Sequence, residues 1–289
     1  MAASLEPIFI VYSRTGLMDG IQLFFIIACF GIALAIKRPR QMIALAIFLG
    51  LAASIKWVAL CVIVPTAYIA WRKGLFKEFV ISLPITVLVY LAIVFSGQVV
   101  IGTPNPLEGV ILWHQQAWQY QLTLTATHPW SSKWYTWPIM TRPVLFRYDV
   151  NPNGTIQMMS AIGNPVLWWV SSVAVVASLV EIITLAALRQ KIADHPLVPL
   201  LVGYAAAFLP WIPIHRVLFL YHYLPCYFFA LMMVGYWFSK IWKRFPPVAL
   251  TFAIVVFGVG VYFLPLAMGL PLSQNAINQH IWVNSWLYG

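Results

Sequence analysis

Apolar runs of roughly membrane-spanning length, each closed by a short basic cluster, recur along most of this chain. Residues 17–36 form the first and end at once in Lys37, Arg38 and Arg40. Residues 41–71 form a longer run, interrupted near Lys56-Trp57 and closed by Arg72, Lys73 and Lys77. Basic clusters mark cytoplasmic ends. A run with such a cluster at both ends must therefore turn back as a hairpin. Each arm has about 15 residues, so at ~1.5 Å per residue it covers about 22 Å of a ~30 Å hydrocarbon core. The tip carrying Lys56 then stops below the outer surface, where a lysine needs a polar cavity. Residues 79–97 cross outward and 98–163 are external. Residues 165–188 return to Arg189 and Lys191, 197–211 go out, and 217–238 come in to Lys240, Lys243 and Arg244. Residues 247–268 go out again and leave 271–289 external. The pattern predicts an all-α polytopic membrane protein, one membrane domain over residues 1–289. It has about eight transmembrane segments, two of them short and forming the hairpin, and one long external loop at 98–163.

Inside that loop lies a polar and aromatic island, WHQQAWQYQLTLTATHPWSSKWYTWPIMTRPVLFR, from Trp113 to Arg147. Pro129, Pro138 and Pro143 prevent it from forming one continuous helix, and its histidines, lysine and arginines exclude it from lipid. Trp and Tyr favour the headgroup level, so the island is expected at the membrane surface as the functional face.

Composition agrees. Of 289 residues 62% are hydrophobic and 8% charged, against roughly 25% charged in soluble domains. The net charge of +10 does not mark a nucleic-acid binder, because the basic residues fall in short clusters between apolar runs. Of 17 Lys and Arg, 11 occupy the proposed cytoplasmic turns (37, 38, 40, 72, 73, 77, 189, 191, 240, 243 and 244). The other six, Arg14, Lys56, Lys133, Arg142, Arg147 and Arg216, lie outside or at the outer membrane level. Cations kept on that side suit an anionic ligand or lipid headgroups. Cys29, Cys61 and Cys226 all sit in apolar runs, where packing is the expected role. The N-terminus has no basic leader region, and its apolar run Pro7–Tyr12 is too short to span or to act as a cleavable signal.

Acidic residues are few enough to weigh one by one. Glu78 and Asp194 fall in cytoplasmic turns. Glu181 lies in the inner part of a span, where a protonated or paired structural role is expected. Glu6, Asp19, Glu108 and Asp149 are external. Asp19 opens a span five residues after Arg14 and suits either a site carboxylate or a helix cap paired with that arginine. No histidine–carboxylate cluster has metal-ligand spacing, and no nucleophile elbow or phosphate-cradling glycine loop is present. What remains is a cation-lined membrane cavity beneath an aromatic surface, which suits a lipid phosphate bearing a sugar.

The stretch HPWSSKWYTWPIMTRPV, His128 to Val144, resembles the protein O-mannosyltransferase family, in which a His-Pro pair, a serine, a Trp-rich run and a Trp-Pro-x-Met-x-Arg-Pro string precede a span. SRTGLMD (Ser13–Asp19), Lys56-Trp57, and LYHYLP (Leu220–Pro225) after Arg216 match in the same order. The resemblance implies a GT-C-type glycosyltransferase of bacterial type, since the loop of about 65 residues cannot hold the β-trefoil domain of eukaryotic members. It implies transfer of mannose from a polyprenyl- or dolichyl-phosphate carrier to Ser or Thr hydroxyls of proteins, with inversion and without a metal or other cofactor. A multi-pass location in the cell inner (plasma) membrane follows. Carried over residue by residue, Asp19 is the candidate catalytic carboxylate. Arg14, Lys56, His128, Trp137, Arg142, Arg216, His222 and Tyr223 are candidate substrate-binding residues, with Lys56, Arg14 and Arg216 towards phosphate. The family's first external loop, whose Asp-Glu pair supplies the base, has no counterpart here. An upstream part with about three spans is therefore expected to be missing, and the chain alone is expected not to transfer mannose. A non-catalytic subunit binding lipid-linked sugar, or a transporter of it, stays open as an alternative.

Overall fold

A computed structural model describes residues 6–287. The expectations placed on the leader at 1–5, and on the last two residues of the aromatic end, lie outside the described residues. The chain is mostly helical and forms two compact units: one from residues up to 20, 127–190 and 217 onward, the other from 21–126 and 191–216.

In the second unit the hairpin forms as the charge pattern predicts. Helix α2 (Met18–Ala35) is followed by α3 (Gln41–Ile55), a 3₁₀ segment (Trp57–Val62) and α4 (Ile63–Arg72). The break falls at Lys56, whose extended backbone (φ −154°, ψ 135°) ends α3. Lys73 then closes the base of the hairpin by donating to the α2 carbonyls of Ala33, Leu34 and Ile36 at 2.9, 2.5 and 2.8 Å. Those carbonyls have no partner within their own helix, and a cation also complements the C-terminal dipole. Helix α5 (Phe76–Val100) packs on α3 at Gly50. A β-carbon there would stand 2.7 Å from both Thr86 O and Val89 Cβ, so the absent side chain sets the approach of the two backbones. Helix α6 (Pro106–Thr123), with Asn105 as its N-cap and Pro106 in its first turn, runs well into the island. The three island prolines all lie beyond it. Helix α8 (Leu197–Phe208) packs on α4. Beside it Tyr68 Oη donates to Ala193 O at 2.7 Å and Arg72 pairs with Asp194.

The first unit holds the short α1 (Pro7–Arg14), the spans α7 (Pro165–Ala187), α9 (Leu224–Arg244) and α10 (Pro246–Met268), and α11 (Gln274–His280). Inside it, Glu181 meets Lys240 at 2.7 Å and Tyr236 at 3.1 Å, the paired role expected for it. A small antiparallel sheet begins at the end of the island, with β1 (Leu145–Val150), β2 (Ile156–Ser160) and β3 (Pro271–Leu272) in that order. These strands were not predicted. The run IQMMS carries no strict polar–apolar alternation, although its alternate residues Ile156, Met158 and Ser160 are buried.

Among the described residues five helices are long and apolar enough to cross a membrane: α2, α5, α7, α10 and the continuous stretch Leu220–Arg244. Three shorter apolar stretches accompany them: α3, Trp57–Arg72 and Leu197–Trp211. Among the described residues none of the three cysteines forms a disulfide.

Candidate functional site

In the first unit, the string Trp137-Pro138-Ile139-Met140 raises a specific question, because an irregular segment must find partners for its carbonyls. All four are satisfied by side chains. Trp168 Nε1 donates to Trp137 O (2.9 Å), Ser172 Oγ to Pro138 O (2.6 Å), Trp169 Nε1 to Ile139 O (3.0 Å) and Trp286 Nε1 to Met140 O (2.7 Å). Met140 itself turns the chain with φ +53°. The island is thus docked rigidly on α7 and the C-terminal segment.

That docking positions the loop His128–Ser132. Trp137 Nε1 donates to Ser132 Oγ at 2.9 Å, Ser132 N to Leu218 O at 2.8 Å, and Arg142 reaches the carbonyls of Pro129 (3.3 Å) and Ser131 (3.4 Å). Arg142 therefore holds the loop together. His128 accepts from Trp130 N at 3.1 Å and meets Phe219 edge to face, ring centres 5.1 Å apart. His222 accepts from Phe219 N at 3.1 Å and stacks on Trp137 at 6.0 Å and 13°, with Tyr221 4.5 Å away on its other side. Trp137 and Tyr223 are both at 0% exposure. They support the half-buried His222 and offer no open face of their own.

The ring series continues to the start of the chain. Tyr221 meets Tyr12 edge to face at 6.1 Å, and Tyr12 meets Phe146 at 5.8 Å. Tyr12 is 2% exposed, and its hydroxyl has no hydrogen-bond partner among the described residues. Burial, reinforced by Asp19 and then Tyr221, holds its phenol well above the usual range. Asp19 stands in the first turn of α2 at 4% exposure. Arg14 ends α1, is exposed, and reaches Met268 O at 3.3 Å. Asp19, Arg14, His128, Arg142 and His222 thus fall in one unit, where Phe219 and Tyr221 link His128 and His222 to Tyr12.

Sequence reasoning missed what holds this arrangement. Glu6, at 0% exposure, accepts from Asn164 N at 2.6 Å and from Tyr227 Oη at 2.9 Å. Asn164 in turn caps α7 and donates to Val256 O at 2.7 Å. One carboxyl therefore ties α1 to α7 and α9, and Asn164 extends the tie to α10. Burial, opposed only in part by these hydrogen bonds, pushes the Glu6 carboxyl up to about 8. A lone glutamate before a short apolar run gives no sign of this, because its partners lie 158 and 221 positions away. Tyr12, Phe219 and Tyr221 were passed over for the same reason.

Lys56 and Arg216 belong to the second unit, both half-buried. Lys56 stands between two helical segments, with its backbone N–H on Ala52 O at 3.4 Å and its carbonyl accepting from Ala59 N at 2.9 Å. Among the described residues no group of three or more His, Cys, Asp or Glu could hold a metal ion. The first unit offers a carboxylate, cations and ring faces, and the second offers Lys56 and Arg216.

The fold, with its long apolar helices, is that of a helical, polytopic membrane protein. The S. cerevisiae protein O-mannosyltransferase Pmt1-Pmt2 complex bound to the sugar donor resembles it in fold, with a TM-score of 0.55 and 20% identity over 64% of this chain and 27% of the yeast chain. The family model for the C-terminal four-transmembrane region of protein O-mannosyltransferase matches residues 106–286, and the chain belongs to that family. A polyprenol-phosphate-mannose–protein mannosyltransferase of Mycobacterium tuberculosis (strain ATCC 25618 / H37Rv) is 24% identical over 96% of this chain and 68% of its own length. Its counterpart in Mycolicibacterium smegmatis (strain MKD8) is 26% identical over 65% of this chain and 39% of its own. Dolichyl-phosphate-mannose–protein mannosyltransferase 1 of Saccharomyces cerevisiae is 23% identical over 61% and 23%.

Proposed function

We propose that this chain takes part in mannosyl transfer from a polyprenyl- or dolichyl-phosphate-mannose carrier to Ser or Thr hydroxyls of proteins, at the external face of the cell inner (plasma) membrane. The observation that carries this reading is the family match over 106–286, together with relatives named for that reaction. The acceptor oxygen attacks the anomeric carbon as the bond from that carbon to the phosphate oxygen breaks. The hydroxyl proton goes to a carboxylate and the lipid phosphate leaves as an anion. In this chain Asp19 is the carboxylate we assign to the acceptor hydroxyl. By the resemblance Lys56, Arg14 and Arg216 are the cations we assign towards the phosphate, each within its own unit, and a fixed cation stabilises the charge that develops on a leaving phosphate. His128, Arg142 and His222 hold sugar or acceptor, with Trp137 and Tyr223 buttressing His222.

The test measures two quantities in nanodiscs, on this chain alone and on the chain joined to a family N-terminal part: affinity for a short-chain prenyl-phosphate mannose, and transfer to a Ser/Thr peptide. Lys56→Met is expected to weaken carrier binding with folding unchanged, and Asp19→Asn to lower transfer without affecting carrier binding. Carrier affinity unchanged in Lys56→Met would remove that lysine from the phosphate. Transfer by the joined form would keep the enzyme reading, whereas carrier binding with no transfer in either form would favour a carrier-binding subunit.

A further inference from the structure

Beyond Lys56 the second unit contains a hydrogen-bonded chain whose direction can be worked out atom by atom. His114 Nδ1 lies 2.7 Å from Val110 O, and a carbonyl can only accept, so Nδ1 carries the proton. In the neutral imidazole Nε2 is then an acceptor, and it takes the Tyr90 hydroxyl proton at 2.7 Å. The Tyr90 oxygen in turn accepts from Trp57 Nε1 at 2.9 Å. The order is Trp57 to Tyr90 to His114 to Val110, from the residue after Lys56 across α5 to α6. Ring contacts reinforce it: Trp57 lies nearly parallel to His114 (6.2 Å, 19°), and Trp113 meets both edge-on at 6.0 and 4.9 Å.

Packing alone does not hold Trp57. A cavity of about 300 Å³ opens beside it, lined by Ala53, Trp57, Leu60, Thr86, Val87 and Tyr90. A side chain with an open flank is free to change rotamer unless polar bonds fix it. Here its one donor is bound, and the acceptor that binds it is itself bound. Trp57 begins the 3₁₀ segment, and Lys56 is both the end of α3 and the residue before that segment. Fixing the Trp57 ring fixes the backbone to which Lys56 is attached.

We infer that Tyr90 and His114 are positioning residues for Lys56, acting through the Trp57 indole to hold the break between α3 and α4 in one geometry. The inference rests on the proposed role of Lys56 towards the carrier phosphate. Tyr90→Phe removes only the hydroxyl oxygen, so it leaves the ring contacts in place while depriving the indole N–H of its acceptor and His114 Nε2 of its donor.

Two measurements test this. The first is a double-mutant cycle on affinity for a short-chain prenyl-phosphate mannose, with wild type, Tyr90→Phe, Lys56→Met and the pair. A drop on the order of tenfold is expected for Tyr90→Phe, with no further drop in the Lys56→Met background, since residues acting as a unit are non-additive. The second uses no carrier: amide hydrogen exchange over residues 54–60 is expected to quicken in Tyr90→Phe and in His114→Ala, with α7 and α9 unchanged. Equal losses in both backgrounds, or exchange over 54–60 unchanged, would overturn the inference. Lys56→Met at wild-type affinity would overturn the phosphate role of Lys56 and with it this inference. Lys56→Met weakened beside an unaltered Tyr90→Phe would sink the inference alone.

Discussion

Glu6 shows how a single residue can set the conditions under which this protein is stable. Its carboxyl is pushed from the usual 4.5 up to about 8 by burial, which disfavours the ionised form. The sign follows from linkage. The unfolded chain gives up the Glu6 proton at about 4.5, whereas the folded chain keeps it until about 8. The stability attached to the protonated form is complete below the lower value and is lost as pH rises towards the upper one, at about 1.4 kcal/mol per pH unit. Glu6→Gln keeps a neutral group of the same shape. It should flatten the fall in melting temperature between pH 5 and 8 and exceed the wild type at pH 8, whereas Glu6→Ala should be less stable throughout. A wild-type slope retained in Glu6→Gln would assign the titration elsewhere. Asp19 poses the complementary question at the site. A positioned base contributes roughly 10²–10⁴-fold, so in the chain joined to a family N-terminal part Asp19→Asn should lower peptide mannosylation by that order with carrier affinity intact. Activity within a few-fold of wild type would remove Asp19 as the base.

Among the elements, the hairpin was legible from charge and length, and its close packing was not. Lys37, Arg38 and Arg40 at one end and Arg72, Lys73 and Lys77 at the other forced a return, and the chain does turn at Lys56. That Gly50 sets the distance between α3 and α5 could be seen only once Thr86 and Val89 were in place opposite it. Gly50→Leu should cost about 1–3 kcal/mol through overpacking, lowering the melting temperature in detergent. An unchanged melting temperature would mean that α5 slides aside freely. The β1–β2 hairpin teaches the reverse lesson. A short strand with mixed residues such as IQMMS becomes a strand because partners pair with it, and pairing is not a property of the local pattern.

For the whole molecule, we propose from the distribution of basic residues that the segments before α6 and between β1 and β2 face the external side. With the native cysteines replaced, single cysteines at the exposed Pro104 and Pro152 should react with a membrane-impermeant thiol reagent in intact cells, and one at Gln190 should not. Labelling confined to Gln190 would invert the topology. The residues that made the family recognisable divide by physical role. The string from Trp137 to Met140 docks the island through its own carbonyls, and Arg142 clamps the loop of His128. A motif that looked like a binding surface therefore serves largely as a bracket for His128 and His222.

The sequence by itself determined the helical membrane architecture, the hairpin and the identity of the scarce charged groups, because hydropathy and charge act locally and one residue at a time. The tertiary structure alone decided that Glu6 is a buried tie and that Tyr12 is the ring between Tyr221 and Phe146. It alone decided that Trp57 hands its proton bond to Tyr90 and His114. Each of these depends on groups tens to hundreds of residues apart, where a hydrogen bond is settled by distance and angle and no local pattern records the partner.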